Sequence, residues 1–264
     1  MRSLKLIALS LIINIIFQLD CFSKALFGEI TKEDFKIQAP QVLDAQTDIP
    51  ITGAAVSIPS ENLMDYTDNN GTFNLKSTKN SPVILSVQKE GYRPFSLTLK
   101  DGKIKDSLKL RLEKSNPNSI IISNNMMHLG DNSFSENSAG ACLINSPCVG
   151  PSYSQKFEVK NITPKTKAYV TIGSVIGIDT IQAMKLGQNN LRNASSSPME
   201  IFINNEKIGE LKINGDNQKI PIPPNLLRKM ASNTLTIKTG MNKSTTTNTD
   251  YDDVELMNLF VDIK

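Results

Sequence analysis

Three aspartates, Asp250, Asp252 and Asp253, fall within four residues at the start of the apolar run that ends the chain. Carboxylates so close repel one another, and a hard cation with oxygen ligands relieves that repulsion; calcium is the natural occupant. Asn124, Asn125 and Asp131 would complete an oxygen shell if the first and last strands of the C-terminal half are neighbours. A solvated turn, with one aspartate capping backbone amides, accounts for the same residues equally well. His128 is the single histidine, so sites built from two histidines are excluded, and its neighbours Met126, Met127 and Leu129 mark it as packed rather than catalytic. Asp179 and Asp253 would pair as acid and base for glycoside cleavage only if they met across a cleft, which no spacing in the chain dictates. No serine sits on a strand-turn-helix elbow, so the expectation is a protein that is not an enzyme. Sugar recognition asks for an exposed aromatic platform with convergent polar groups. Tryptophan is absent, which leaves Tyr153 and Tyr251, with Asp179, as the carbohydrate-binding candidates.

The chain opens with Arg2 and Lys5, an apolar run from Leu6 to Phe17 and a polar stretch ending Ser23-Lys-Ala25, the three-part form of a secretory signal spanning residues 1–25. The run is too short to span a bilayer, so no membrane insertion is expected after its removal; a retained signal-anchor is the alternative. Cys21 does not read as a lipoprotein cysteine, because Asp20 stands where a small residue is wanted. Export places the mature chain in the periplasm, at the cell surface or outside, where disulfides persist. Cys142 and Cys148, with five residues between them, are then expected to bond. The closed loop would contribute roughly 2 to 2.5 kcal/mol. A redox pair wants two intervening residues, and a zinc site wants more ligands than lie nearby.

Charge narrows the partners. Residues 34–114 carry 11 basic and 10 acidic side chains, and residues 119–264 carry 14 and 13. Neither half has the basic surplus that phosphate backbones require, which disfavours nucleic acid and anionic membrane surfaces.

The elements that must position these residues are strands. From residue 34 to 114, short alternating segments are predicted at 36–43, 54–58, 63–67, 72–76, 83–89, 95–99 and 107–112, with turns at Asp68-Asn-Asn-Gly71, Lys89-Glu-Gly91 and Asp101-Gly102. Val42-Leu-Asp44, Thr47, Ile49-Pro-Ile-Thr-Gly-Ala-Ala-Val56, Thr67-Asp-Asn-Asn-Gly-Thr-Phe-Asn-Leu75 and Val87 to Gly91-Tyr92 together resemble the carboxypeptidase regulatory-like domain. That resemblance covers about 80 residues and implies a seven-stranded, transthyretin-like β-sandwich with no peptidase chemistry. The family's usual glycine ahead of the first strand is replaced by Ala39-Pro40.

Lys114 to Ser119 is a polar, proline-bearing link, so the domains are expected at 34–114 and 119–264. Strands are predicted at 120–123, 154–159, 168–172, 199–203, 207–213, 218–222, 234–239 and 254–263, with hairpins at Asn204-Asn205 and Asn214-Gly-Asp216 and a short helix from Pro224 to Met230. In a regular last strand, Val254, Leu256 and Phe260 share one face, while Asp253, Glu255, Met257 and Leu259 share the other. Asn124 to Asn137 is a polar run long enough to line a surface site. The Pro-Asn-Leu-Leu segment before Asn233-Thr-Leu-Thr-Ile237, and the closing run Asp250-Tyr-Asp-Asp-Val-Glu-Leu-Met-Asn-Leu-Phe-Val-Asp262, are similar to galactose-binding-like jelly rolls. Such domains commonly bind carbohydrate and use calcium as a structural ion. The sequence therefore implies an all-β, exported, non-enzymatic protein: an N-terminal transthyretin-like sandwich followed by a C-terminal jelly-roll β-sandwich that recognises carbohydrate. The alternative is a structural or interaction subunit that meets a surface protein, with glycoside hydrolase a remote third.

Overall fold

Alternation of apolar and polar residues, punctuated by Gly, Asn and Pro, produces strands and no long helix in the computed structural model, which describes residues 39–130, 149–150, 152–163, 165–177, 199–239 and 253–264. The N-terminal lobe contains β1 (Gln41–Asp44), β2 (Ala55–Ile58), β3 (Leu63–Tyr66), β4 (Val83–Gln88), β5 (Phe95–Leu99) and β6 (Lys109–Leu112). An antiparallel sheet runs β3-β2-β4-β5, and β1 pairs β6 in parallel. Val42, Val56, Ile58, Leu85, Val87 and Leu112 fill the core between them.

Residues 72–76, predicted as a strand, form no ladder. Asp68 draws the amides of Asn70 and Thr72 onto its Oδ1 at 2.9 and 2.8 Å, and the Asn74 amide goes to Asp65 Oδ2 at 2.7 Å instead of to a strand partner. Gly71 has φ +69°, and a Cβ there would lie 2.5 Å from the Val42 carbonyl oxygen, so this turn demands glycine. Phe73 and Leu75 are nevertheless buried in the core, as the alternation predicts. The spaced motif residues clamp the lobe: Asp44 accepts the amides of Gln46 and Thr47 and the Tyr92 hydroxyl at 3.0 Å, while Thr67 donates to the Ile51 carbonyl and accepts from the Ala54 amide.

The C-terminal lobe contains β7 (Ser119–Ser123), β8 (Met127–Leu129), β9 (Ser152–Glu158), β10 (Ala168–Gly177), β11 (Met199–Ile203), β12 (Glu206–Glu210), β13 (Gly215–Ile222), β14 (Ser232–Thr239) and β15 (Val254–Ile263). One sheet runs β13-β10-β15-β7, with β8 also on β15, and the other runs β12-β11-β14-β9. Their inner faces enclose a core that includes Leu129, Val170, Ile172, Ile201, Leu235, Ile237, Leu256 and Val261. The Asn204-Asn205 hairpin forms, both residues having positive φ. Asn214-Gly-Asp216 is not a hairpin: β12 and β13 belong to different sheets, so the chain crosses between layers there. The expected helix is a single 3-10 turn, Pro224–Leu226. Leu227 is extended and buried, and the Asn233 carboxamide bonds the Arg228 amide and carbonyl, which holds the segment as a loop.

The faces of β15 also differ from regular alternation. Asn258 has φ +61°, and the register shifts after Leu259, so Leu259 joins Val254, Leu256 and Val261 in the core while Phe260 turns out with Met257. β10 shifts in step, with Ile172 and Val175 both inward, so the two central strands keep their apolar residues on the same side. Residues 39–264 form one contact unit, and the outward face of β10 and β15 carries the N-terminal lobe. Ile84 meets Ile176 and Met257, with Met126 packed against them. Gly173 makes this approach feasible, since a Cβ there would lie 2.4 Å from Ser96 Oγ.

Candidate functional site

The acidic start of β15 lies against β8, a strand within the segment expected to be a polar loop. Leu129, His128 and Met127 pair with Val254, Glu255 and Leu256. Met127, Leu129, Val254 and Leu256 enter the core, so His128, Asp253 and Glu255 share the opposite face. His128 Nε2 lies 2.8 Å from Asp253 Oδ1, and both side chains are fully shielded from solvent. Gly130 is shaped by this pair: a Cβ there would fall 1.7 Å from Asp253 Oδ1.

Of the expected calcium ligands, Asp131, Asp250 and Asp252 lie outside the described residues. The first and last strands are neighbours, as the shell requires, because β7 pairs β15. Asn124 donates from Nδ2 to Gln88 Oε1 at 3.1 Å, while Gln88 Nε2 donates to the Asn124 backbone carbonyl at 3.1 Å, so its carboxamide is held toward the N-terminal lobe. Asn125 is exposed. Among the described residues no group of three His, Cys, Asp or Glu is arranged to hold a metal, and what Asp253 offers a cation is a carboxylate already bonded to His128.

Tyr153, on β9, is half-buried against the core and hydrogen-bonded to Ser123; burial raises its hydroxyl above the usual tyrosine range. It is a packing residue with a polar tip rather than an open platform. Asp179, Tyr251, Cys142, Cys148 and the 1–25 segment lie outside the described residues.

An open groove of about 540 Å³ runs where the lobes meet, lined by Ala55, Gln88, Lys89, Glu90, Ile121 and Asn124 among others. Its wall is Gln88 with Asn124, the Asn124 carboxamide donating to Gln88 Oε1 and Gln88 Nε2 donating to the Asn124 backbone carbonyl. Gln88 stands in a cross-strand row with Ala55 and Tyr66, because Ala55 pairs both Tyr66 and Gln88. Tyr66 is 62% exposed and Met64, two residues back on the same face, 59%. Sequence reasoning passed over Tyr66; the signal was the alternation Leu63-Met-Asp-Tyr66, which turns Met64 and Tyr66 together away from Leu63.

A charged network fixes this groove's geometry from the other end of the seam. Arg93 holds Asp262 in a fork, Nη1 to Oδ1 at 2.6 Å and Nη2 to Oδ2 at 3.0 Å, and its guanidinium lies 3.9 Å from the centre of the Phe260 ring. Ser119 and Thr171 donate to the same carboxylate, each at 2.6 Å. Burial alone would raise the Asp262 carboxyl, but the hydrogen bonds from Arg93, Ser119 and Thr171 outweigh it and bring it down to about 2. Asp216 adds a second tie, accepting the Thr98 amide at 3.1 Å and hydroxyl at 2.7 Å. Among the described residues, the hydroxyls of Ser86, Ser96 and Ser174 and the carboxamide of Asn258 are buried with no hydrogen-bond partner. The seam is therefore held by its apolar patch and charged clamps, not by a complete polar network.

Residues 41–122 match the family model of the CarboxypepD_reg-like domain. No curated protein matches the chain. Among solved structures, the chain is similar to a Bacteroides uniformis protein provisionally described as carbohydrate binding, at 14% identity over 84% of this chain and 95% of that chain, with a TM-score of 0.19. A score that low carries no argument about fold or ligand.

Proposed function

We propose that this chain is an exported, non-enzymatic binding protein that recognises carbohydrate, with the N-terminal lobe fixed as a rigid mount on the C-terminal sandwich. The observation that carries the reading is the open groove walled by the Gln88 and Asn124 carboxamides. A carboxamide offers two donors and an acceptor with two lone pairs, the inventory that sugar hydroxyls match. Gln88 and Asn124 spend only part of theirs on each other. By contrast, the described groups suited to acid–base chemistry, His128 with Asp253 and Glu255, are enclosed in protein and out of reach of a polymer chain. The likeness of the closing run and the Pro-Asn-Leu-Leu segment to galactose-binding-like jelly rolls points to the same ligand class.

A glycan array probed with purified protein, once with calcium and once with chelator, tests this reading and the calcium expectation together. Binding to a defined glycan set without release of shortened products supports the proposal. Cleavage would revive the glycosidase alternative, and silence across the array, joined to capture of a surface protein, would favour the interaction subunit.

A further inference from the structure

We infer that the trough over β2, with Tyr66 as its stacking platform, forms the ring-binding half of the sugar site and selects a neutral stretch of pyranose rings. This rests on the carbohydrate reading above and extends it to the N-terminal lobe. Two cross-strand rows run across the trough: Tyr66, Ala55 and Gln88 in one, and Met64, Ser57 and Ser86 in the next, with Ser86 already covered and the opening lying over Ala55 and Ser57. Residues paired across antiparallel strands point to the same face, so Ala55 and Ser57 are a low floor between two taller walls. One wall is Met64 and Tyr66, more than half exposed. The other is Gln88, joined to Asn124 of the C-terminal lobe.

A pyranose ring presents apolar C–H faces and a rim of hydroxyls. Its face fits the flat, rigid surface of tyrosine, and its rim needs donors and acceptors about one ring away. The row supplies both. Tyr66 and Gln88 are two strand spacings apart, about 10 Å, which accommodates about two rings end to end. Neither row contains a charged side chain, and Asp65 of the intervening position faces away to bond the Asn74 amide. That composition favours neutral sugars over uronates or sulfated units at the Ala55 and Ser57 floor, and Lys89 and Glu90 of the adjoining groove bring one charge of each sign, not a net attraction for anions.

The chain lacks tryptophan and has five tyrosines, so tyrosine emission is read without tryptophan, and the difference between wild type and Tyr66→Phe isolates the part due to Tyr66. Titrations of the full mature chain with cellotriose, maltotriose, xylotriose and trigalacturonate are compared for wild type, Tyr66→Ala and Tyr66→Phe, with calorimetry as a second readout. Wild type should bind one or more of the neutral trisaccharides and none of the uronate. Tyr66→Ala should lose at least about tenfold in affinity with an unchanged melting temperature, and Tyr66→Phe should stay within about threefold because the ring remains. If wild type binds and Tyr66→Ala binds equally well, or if trigalacturonate binds best, this site assignment is overturned while the carbohydrate reading stands. If wild type binds no trisaccharide here and no glycan on the array, both fail.

Discussion

Gly130 has φ +159°, and its missing side chain is what lets Asp253 close on His128. Gly91 also has a positive φ, +81°, but nothing lies within 4 Å of a Cβ placed there. Both positions demand glycine's backbone, and they differ in contact. Gly130→Ala should cost about 2 to 3 kcal/mol through overpacking, and Gly91→Ala about 1 kcal/mol through backbone strain alone. Urea denaturation checks this, and adding Asp253→Ala to Gly130→Ala should be markedly non-additive, since the clash partner is gone. Additive costs would mean that Gly130 serves something other than this approach. At this scale the sequence was informative about His128, whose apolar neighbours mark it as packed, and uninformative about its partner, because a contact between residues 125 apart leaves no local pattern.

Strand elements were legible wherever local alternation and a turn coincide: 199–203 and 254–263 match β11 and β15 residue for residue. Legibility fails where side chains take over backbone hydrogen bonds. Asp68 and Asp65 keep 72–76 off a ladder, and Asn233 keeps the Pro224 to Met230 segment from extending past one turn. β8 was hidden because three residues are too few to show a period, and its pairing with β15 is a long-range event. The faces of β15 were misread past Met257 because a bulge, not the pleat, sets them. Asn258 tolerates φ +61° better than most residues, and its backbone conformation is the device that brings Leu259 inward. Asn258→Val should therefore cost about 1 to 2 kcal/mol, while Asn258→Gly should cost less, because glycine accepts the left-handed conformation that a β-branched residue resists. Thermal melts of the two variants rank them; a valine variant at least as stable as the glycine variant would show that the bulge is not conformationally demanding.

The whole molecule depends on the seam between the lobes, since the groove exists only while Gln88 of one lobe faces Asn124 of the other. The Asp262 carboxyl is held down to about 2 in the folded chain, below its ordinary value of 3.8. A carboxyl depressed on folding stabilises the ionised folded state above its unfolded pKa, and the contribution fades as pH falls through the folded value. About 2 kcal/mol should thus be present above pH ~5 and lost progressively toward pH ~2. Asp262→Asn should remove that part of the acid dependence, whereas Arg93→Ala, which strands a largely buried carboxylate, should destabilise the native chain at neutral pH by about 2 to 4 kcal/mol. Stability measured by denaturant at stepped pH decides the matter.

The central claim is that this molecule holds carbohydrate in an open groove without transforming it. The most direct measurement incubates the purified protein with a glycan array and with the matching soluble oligosaccharides, reading retention on the array and oligosaccharide length by mass spectrometry from the same sample. Retention of a defined set of neutral glycans with every soluble chain at its starting mass is the predicted result. Shortened chains, or no retention at any glycan with calcium or with chelator, would contradict it.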